Sequence, residues 1–124
     1  PPGEIRPTHD FYSYEAKYVD PDGAALFVPA ELPESLADEV RSIAARAYRA
    51  VDCEGFARMD FFVDSDSGDI WLNEINTIPG FTSISMFPKL CEAGGLAYGE
   101  LLSELVDLAL RRYSLKSALS YQWS

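Results

Sequence analysis

Between residues 33 and 51 the apolar positions return every three or four residues. Leu36, Val40, Ile43, Ala44, Ala47 and Val51 fall on one stripe of a helix. Pro33 suits a first helical position, Glu34 and Glu39 lie early, and Arg41, Arg46 and Arg49 come later, the order a helix macrodipole prefers. From residue 55 the pattern changes. Residues 55–64 and 69–77 read as strands, and Ser65-Asp66-Ser67-Gly68 between them is turn chemistry, which predicts an antiparallel hairpin. Pro79-Gly80 breaks the chain into a loop. Ser85 is placed to cap a short helix through Met86 and Leu90, which Gly94-Gly95 ends. A last helix over about 98–112 carries Leu101, Leu105, Leu108 and Ala109 on one side, and a loosely held tail is expected from Ser114 onward. Ahead of the first helix, residues 3–6 read as the end of a strand and 26–28 as a short strand closed by Pro29. The stretch 7–23 between them has no clean period and is rich in Tyr, Asp and Pro.

These elements predict an α/β (α+β) fold: an antiparallel sheet built around the hairpin, with the 33–51 helix on one face. Residues 1–112 form one domain including a loop at 8–24, and 113–124 form a tail. The length is enough for one modest core. Domain partners or a second copy are expected over the other face, since Phe56 and Phe62 would otherwise be exposed. The first methionine is Met59 and the chain opens Pro1-Pro2-Gly3, so a piece of a longer polypeptide is expected.

Twenty acids against ten bases give a net charge of −10. Nucleic acid and anionic membrane need clustered Lys and Arg, so neither is expected as a partner. The same charge repels a nucleotide unless a cation or further lysines intervene. Cys53 and Cys91 form no CxxC pair and read as reduced thiols of a cytoplasmic chain. No apolar run approaches the ~20 residues a membrane span requires.

The hairpin carries the chemistry. Side chains alternate along a strand, so Phe56, Arg58, Asp60 and Phe62 share one face of the first strand, and Ile70, Leu72, Glu74 and Asn76 share one face of the second, on the same side of the sheet. A turn centred on Ser67 sets Asp60 opposite Glu74 and Arg58 opposite Asn76. Two opposed carboxylates repel by about 0.2–1 kcal/mol on an open surface and by more where water is excluded. A hard dication removes that conflict, and carboxylate oxygens with the amide oxygen of Asn76 are the ligands magnesium takes. Arg58 then offers a planar fork for phosphate or an oxyanion. An exposed hairpin with scattered charges, Arg58 being a plain salt-bridge partner, accounts for the same residues. A calcium loop at Asp64 does not: counted from there, Gly68 falls fifth rather than sixth, and Ile75 stands twelfth where Glu belongs.

Pro79-Gly80 reverses the chain and lets a backbone N–H approach a ligand, or is an ordinary turn. Thr82-Ser83-Ile84-Ser85 supplies hydroxyls for a carboxylate, a phosphate or plain caps. Phe11, Tyr12, Tyr14 and Tyr18 with Lys17 make an aromatic, basic-tipped loop, a common form for lids. His9 beside it reads as a bystander.

Phe11-Tyr12-Ser13-Tyr14-Glu15-Ala16-Lys17-Tyr18 resembles the ω-loop of D-alanine–D-alanine ligases. Gly55-Phe56-Ala57-Arg58-Met59-Asp60, followed by the run Leu72-Asn73-Glu74-Ile75-Asn76-Thr77-Ile78-Pro79-Gly80-Phe81-Thr82-Ser83, resembles the same family's two C-terminal motifs. Ser13 departs from the usual Asp, and Ile78 occupies a variable place.

The resemblance implies the C-terminal part of an ATP-grasp ligase. ATP is the co-substrate, and two magnesium ions, or manganese in their place, are held by Asp60, Glu74 and Asn76. It implies that Arg58 and the N–H of Gly80 stabilise the tetrahedral intermediate. Lys17, Phe11 and Met86 are substrate- or phosphate-binding positions, Phe11 at the adenine, and Tyr18 and Ser85 close the ω-loop. The Lys17-Tyr18 pair favours the dipeptide-forming enzymes over those making D-alanyl-D-lactate. Further implications are a peptidoglycan role in a bacterial cytoplasm, D-alanine as substrate, a homodimer in the full enzyme, and N-terminal and central domains on the same polypeptide. Without those domains the chain is expected to be inactive. Another ATP-grasp carboxylate–amine ligase and a non-catalytic metal-binding module are the rival readings.

Overall fold

A computed structural model describes residues 1–7, 24–82 and 84–119 of the 124. Strand β1 (Glu4–Pro7) pairs antiparallel with β2 (Ala24–Phe27), with Glu4 opposite Phe27 and Pro7 opposite Ala24. Pro7 and Ala24 therefore lie side by side. Arg6 anchors the pair: its guanidinium sits 4.3 Å from the Phe27 ring centroid and bonds Glu4 and, at 3.2 Å, Glu31.

Helix α1 (Glu34–Ala50) forms where the apolar stripe predicted it, with Pro33 one position earlier than expected, at the N-cap. Val40 is the buried centre of its stripe; Leu36, Ile43, Ala44 and Ala47 are half-buried, and Val51 lies beyond the helix and is exposed. The end of α1 closes without a glycine. Asp52 takes φ 51°, while the N–H groups of Asp52 and Cys53 bond the carbonyls of Arg49 and Tyr48.

Strands β3 (Arg58–Val63) and β4 (Ile70–Asn76) make the second antiparallel pair. Among the described residues the strands form two separate two-stranded sheets, not one. After the hairpin come α2 (Met86–Ala93) and α3 (Tyr98–Ser117), which pack on one another. Gly95, at φ 90°, lets the N–H groups of Gly95 and Leu96 bond back to Glu92 and Cys91, ending α2. Glu100 accepts the Ala97 N–H at 3.2 Å and so starts α3. That helix runs to Ser117, past the expected end at Arg112 and through the first part of the expected tail.

The apolar core is thin. Among the described residues, Val40 and Leu101 are its buried hydrophobic side chains, at 7% and 4% exposure. Along α3, Leu102, Val106, Leu110 and Tyr113 recur at helical spacing with their side chains in the open. No described helix is long and apolar enough to cross a membrane. Cys53 and Cys91 are free thiols, both half-buried, and burial pushes the Cys91 thiol up from its ordinary value.

Candidate cation and phosphate site

The hairpin places its charged residues by a route that alternation alone does not foresee. Its turn closes where the Asp64 N–H donates to the Asp69 carbonyl at 3.0 Å. The Asp64 carboxylate accepts the N–H groups of Asp66 and Ser67, both at 2.8 Å, and these bonds hold its pKa below the usual value. Gly68 supplies the left-handed residue at φ 77°. This turn pairs Val63 with Ile70, Phe62 with Trp71 and Phe61 with Leu72. Carried on, that register would set Asp60 opposite Asn73. A one-residue bulge at Asn73 intervenes, and Asp60 meets Glu74 while Arg58 meets Asn76.

The bulge corrects one expectation. Opposed residues share a face, so Trp71, not Ile70 or Leu72, joins Phe62 on the side of Asp60 and Glu74. Phe62 and Trp71 stand 63% and 51% exposed. Phe56 is not exposed as expected; it lies ahead of β3 and is half-buried among other rings.

On the charged face Arg58 lies between the two acids. Its Nε and Nη2 donate to the Asp60 carboxylate at 2.7 and 2.8 Å, a bidentate fork, and Nη2 also reaches Glu74 Oε1 at 3.3 Å. The side chains of Arg58, Asp60 and Glu74 are 26%, 33% and 51% exposed, so water screens the group only in part. Among the described residues, one guanidinium faces two carboxylates here. The donor set is hard oxygen throughout, and this fits a divalent cation. Asn76 Oδ1 accepts the Ile78 N–H at 3.0 Å and, as an amide oxygen, keeps a second lone pair. No cluster of three or more His, Cys, Asp or Glu able to hold a metal occurs among the described residues. Among the described residues, the oxygen donors on this face are the two carboxylates and the amide.

The loop after β4 is built around a close approach. Pro79 is buried, and a Cβ on Gly80 would lie 2.8 Å from Ser85 Oγ, nearer than real side chains come. Ser85 stands at the N-cap of α2 but does not cap it with its hydroxyl. That oxygen accepts the Thr82 N–H at 3.0 Å and shares a 2.8 Å hydrogen bond with Thr82 Oγ1. Met86, expected at the substrate, packs its methyl end against Gly3, beside Leu90. Lys17, Tyr18 and Phe11 lie outside the described residues.

Composition and period gave no hint of the ring cluster beside this loop. Phe56 and Phe81 meet edge to face at 5.9 Å, Phe87 lies 5.4 and 5.6 Å from them, and Tyr98 lies 6.0 Å from Phe81. On the reverse face of β4, Ile75 and Thr77 border an open cleft of about 570 Å³ with Val51, Cys53, Glu54 and Arg112, the last two forming an ion pair. Burial, then the charges of Cys53 and Glu54, raises the nearby Tyr48 phenol.

Residues 1–107 match the family described as D-ala D-ala ligase C-terminus. The chain belongs to that family. Its α+β fold is the C-terminal part of the ATP-grasp architecture seen in D-alanine–D-alanine ligases. A D-alanine–D-alanine ligase of Treponema denticola is 57% identical over 112 residues, 90% of this chain and 30% of the relative. The solved ligase of Coxiella burnetii superposes with a TM-score of 0.73 at 43% identity, covering 77% of this chain and 27% of that one. The Bacillus anthracis ligase complexed with ATP gives 0.66 at 31% identity, over 78% and 32%. This member of the family thus spans about a third of the length of the curated relatives it matches.

Proposed function

We propose that this chain supplies the cation-holding, intermediate-stabilising part of an ATP-dependent ligase that joins two D-alanines for peptidoglycan in the bacterial cytoplasm. The remaining two-thirds of the relatives' length supplies the other ATP and D-alanine contacts, and the whole enzyme is a homodimer. The observation that carries this reading is the Asp60–Glu74 pair, opposed on one face with Arg58 bonded to both. In the reaction the terminal phosphoryl of ATP passes to the carboxylate of one D-alanine. The amine of a second attacks that acyl phosphate, phosphate leaves, and the dipeptide and ADP result.

Asp60, Glu74 and Asn76 would hold two magnesium ions, or manganese, which would neutralise the polyphosphate charge. The Arg58 guanidinium, a planar fork of N–H donors, is the donor to the oxyanion. The Gly80 N–H is a second donor to it, Lys17 reaches phosphate or the second substrate's carboxylate, and Phe11 borders the adenine. Tyr18 and Ser85 secure the loop over the site. The Bacillus anthracis ligase complexed with ATP supports ATP as co-substrate.

The test is a chimera in which this chain replaces the matching 112 residues of the Treponema denticola ligase. ADP and dipeptide should form from ATP, magnesium and D-alanine, and Arg58→Ala should lower kcat by roughly a hundredfold, as for other oxyanion donors. A chimera as stable as its parent yet inert would overturn the reading, as would turnover undiminished in Arg58→Ala. Robust turnover by the 124 residues alone would refute their dependence on the rest. ADP formation with other amines but not D-alanine would favour a different ATP-grasp ligase.

A further inference from the structure

We infer that Phe56, Phe81, Phe87 and Tyr98 act as positioning residues, clamping the Gly80 loop to the start of β3 so that Arg58 and Gly80 keep one spacing. The inference rests on the proposed roles of those two residues. Strand pairing ends at Arg58 and Asn76, so the ladder gives the loop beyond it no further support. Phe56 precedes Arg58 by two residues, and Phe81 follows Gly80 directly. Their rings meet at 80° and 5.9 Å, a favoured edge-to-face contact. Phe87, on α2, touches both and closes a triangle of rings. Tyr98, at the start of α3, adds a fourth ring, and its hydroxyl donates to the Phe81 carbonyl at 3.4 Å. Rings from the start of β3, the Gly80 loop, α2 and α3 thus converge on the two backbone points that flank the proposed oxyanion donors. Two donors must reach one small group together, and a misplacement of about 1 Å costs roughly a hundredfold in rate.

Two readouts test this, one independent of activity. In the 124-residue chain carrying Phe87→Leu, amide exchange at Thr82 and Ser85, both hydrogen-bonded within the loop, should quicken at least tenfold. Amides of the β3–β4 ladder should keep their rates, and Phe87→Tyr should restore the loop. If Phe87→Leu unfolds the chain, Tyr98→Leu, at the cluster's exposed edge, is read the same way. In the chimera the surviving variant should lower kcat about tenfold while KM for ATP stays within twofold, a split that mere loss of folded protein does not produce.

Loop amides unchanged beside intact ladder amides would overturn the inference, as would a kcat loss no larger than the loss of folded protein. Should Arg58→Ala retain full activity while the loop still loosens, the ring clamp stands as geometry and the role given to Arg58 fails.

Discussion

Replacing Gly80 by alanine perturbs one contact whose cost follows from the geometry. The new methyl would stand 2.8 Å from Ser85 Oγ and 3.6 Å from Ser85 Cβ. Only the first is too close. Ser85 can swing its hydroxyl away, but it then gives up the Thr82 N–H at 3.0 Å and the Thr82 hydroxyl at 2.8 Å. Each bond is worth about 0.5–1.5 kcal/mol net, at the low end on an exposed loop, so Gly80→Ala should cost about 1–2 kcal/mol. Ser85→Ala loses the same two bonds and should cost about 1 kcal/mol. In the double variant the short contact is gone and an ordinary methyl contact remains. It should be no less stable than Ser85→Ala alone, a coupling of about 1–2 kcal/mol. Urea unfolding of the four proteins measures the cycle. Additivity within about 0.5 kcal/mol would refute the claim that Gly80 is required by the approach of Ser85.

Three further outcomes follow from particular residues. Leu101→Ala, at a buried apolar position, should cost about 2–4 kcal/mol in urea unfolding, whereas Leu110→Ala on the open side of α3 should fall within about 0.5 kcal/mol. Asp52→Gly should raise stability by about 1 kcal/mol in the same assay, because an L-residue at φ 51° carries a steric penalty glycine lacks. The backbone N–H groups of Ser67 and Asp66 depress the Asp64 pKa in the folded turn. Its contribution is therefore present above the ordinary carboxylate value of 3.8 and is lost as pH falls through the lower folded value. Protection of the Ser67 amide should fall on acidification in the native chain, and Asp64→Asn, which accepts but does not titrate, should abolish that dependence.

The helical stripe of α1 and the two hairpin strands were legible because their periods are local, and so was the glycine stop of α2. Asp60 does face Glu74, though by a different route from the one reasoned. The turn bonds Asp64 to Asp69, and the bulge at Asn73 makes up the one-residue difference. Nothing about an asparagine in a strand announces a bulge, so strict alternation puts Leu72 beside the carboxylates where the structure has Trp71. Asp52 in a left-handed cap was equally silent, since the usual sign is glycine. Helix α3 outruns its apolar stripe of Leu101, Leu105, Leu108 and Ala109, and Ser114-Leu115-Lys116 continues it to Ser117 with no periodic mark of its own. The ring cluster joins Phe56, Phe81, Phe87 and Tyr98 from four separate segments, and contacts of that range leave no periodic trace. The motif likeness, by contrast, identified the family from residues whose spacing no stability argument explains.

Counting bound manganese by electron paramagnetic resonance, in the chimera with ATP present, tests most directly whether Asp60, Glu74 and Asn76 form a cation site. The account predicts two ions per chain, with Glu74→Gln and Asp60→Asn each weakening binding at least tenfold at unchanged thermal stability. Equal stoichiometry and affinity in all three proteins would contradict it, leaving Arg58 as the salt-bridge partner of two surface acids.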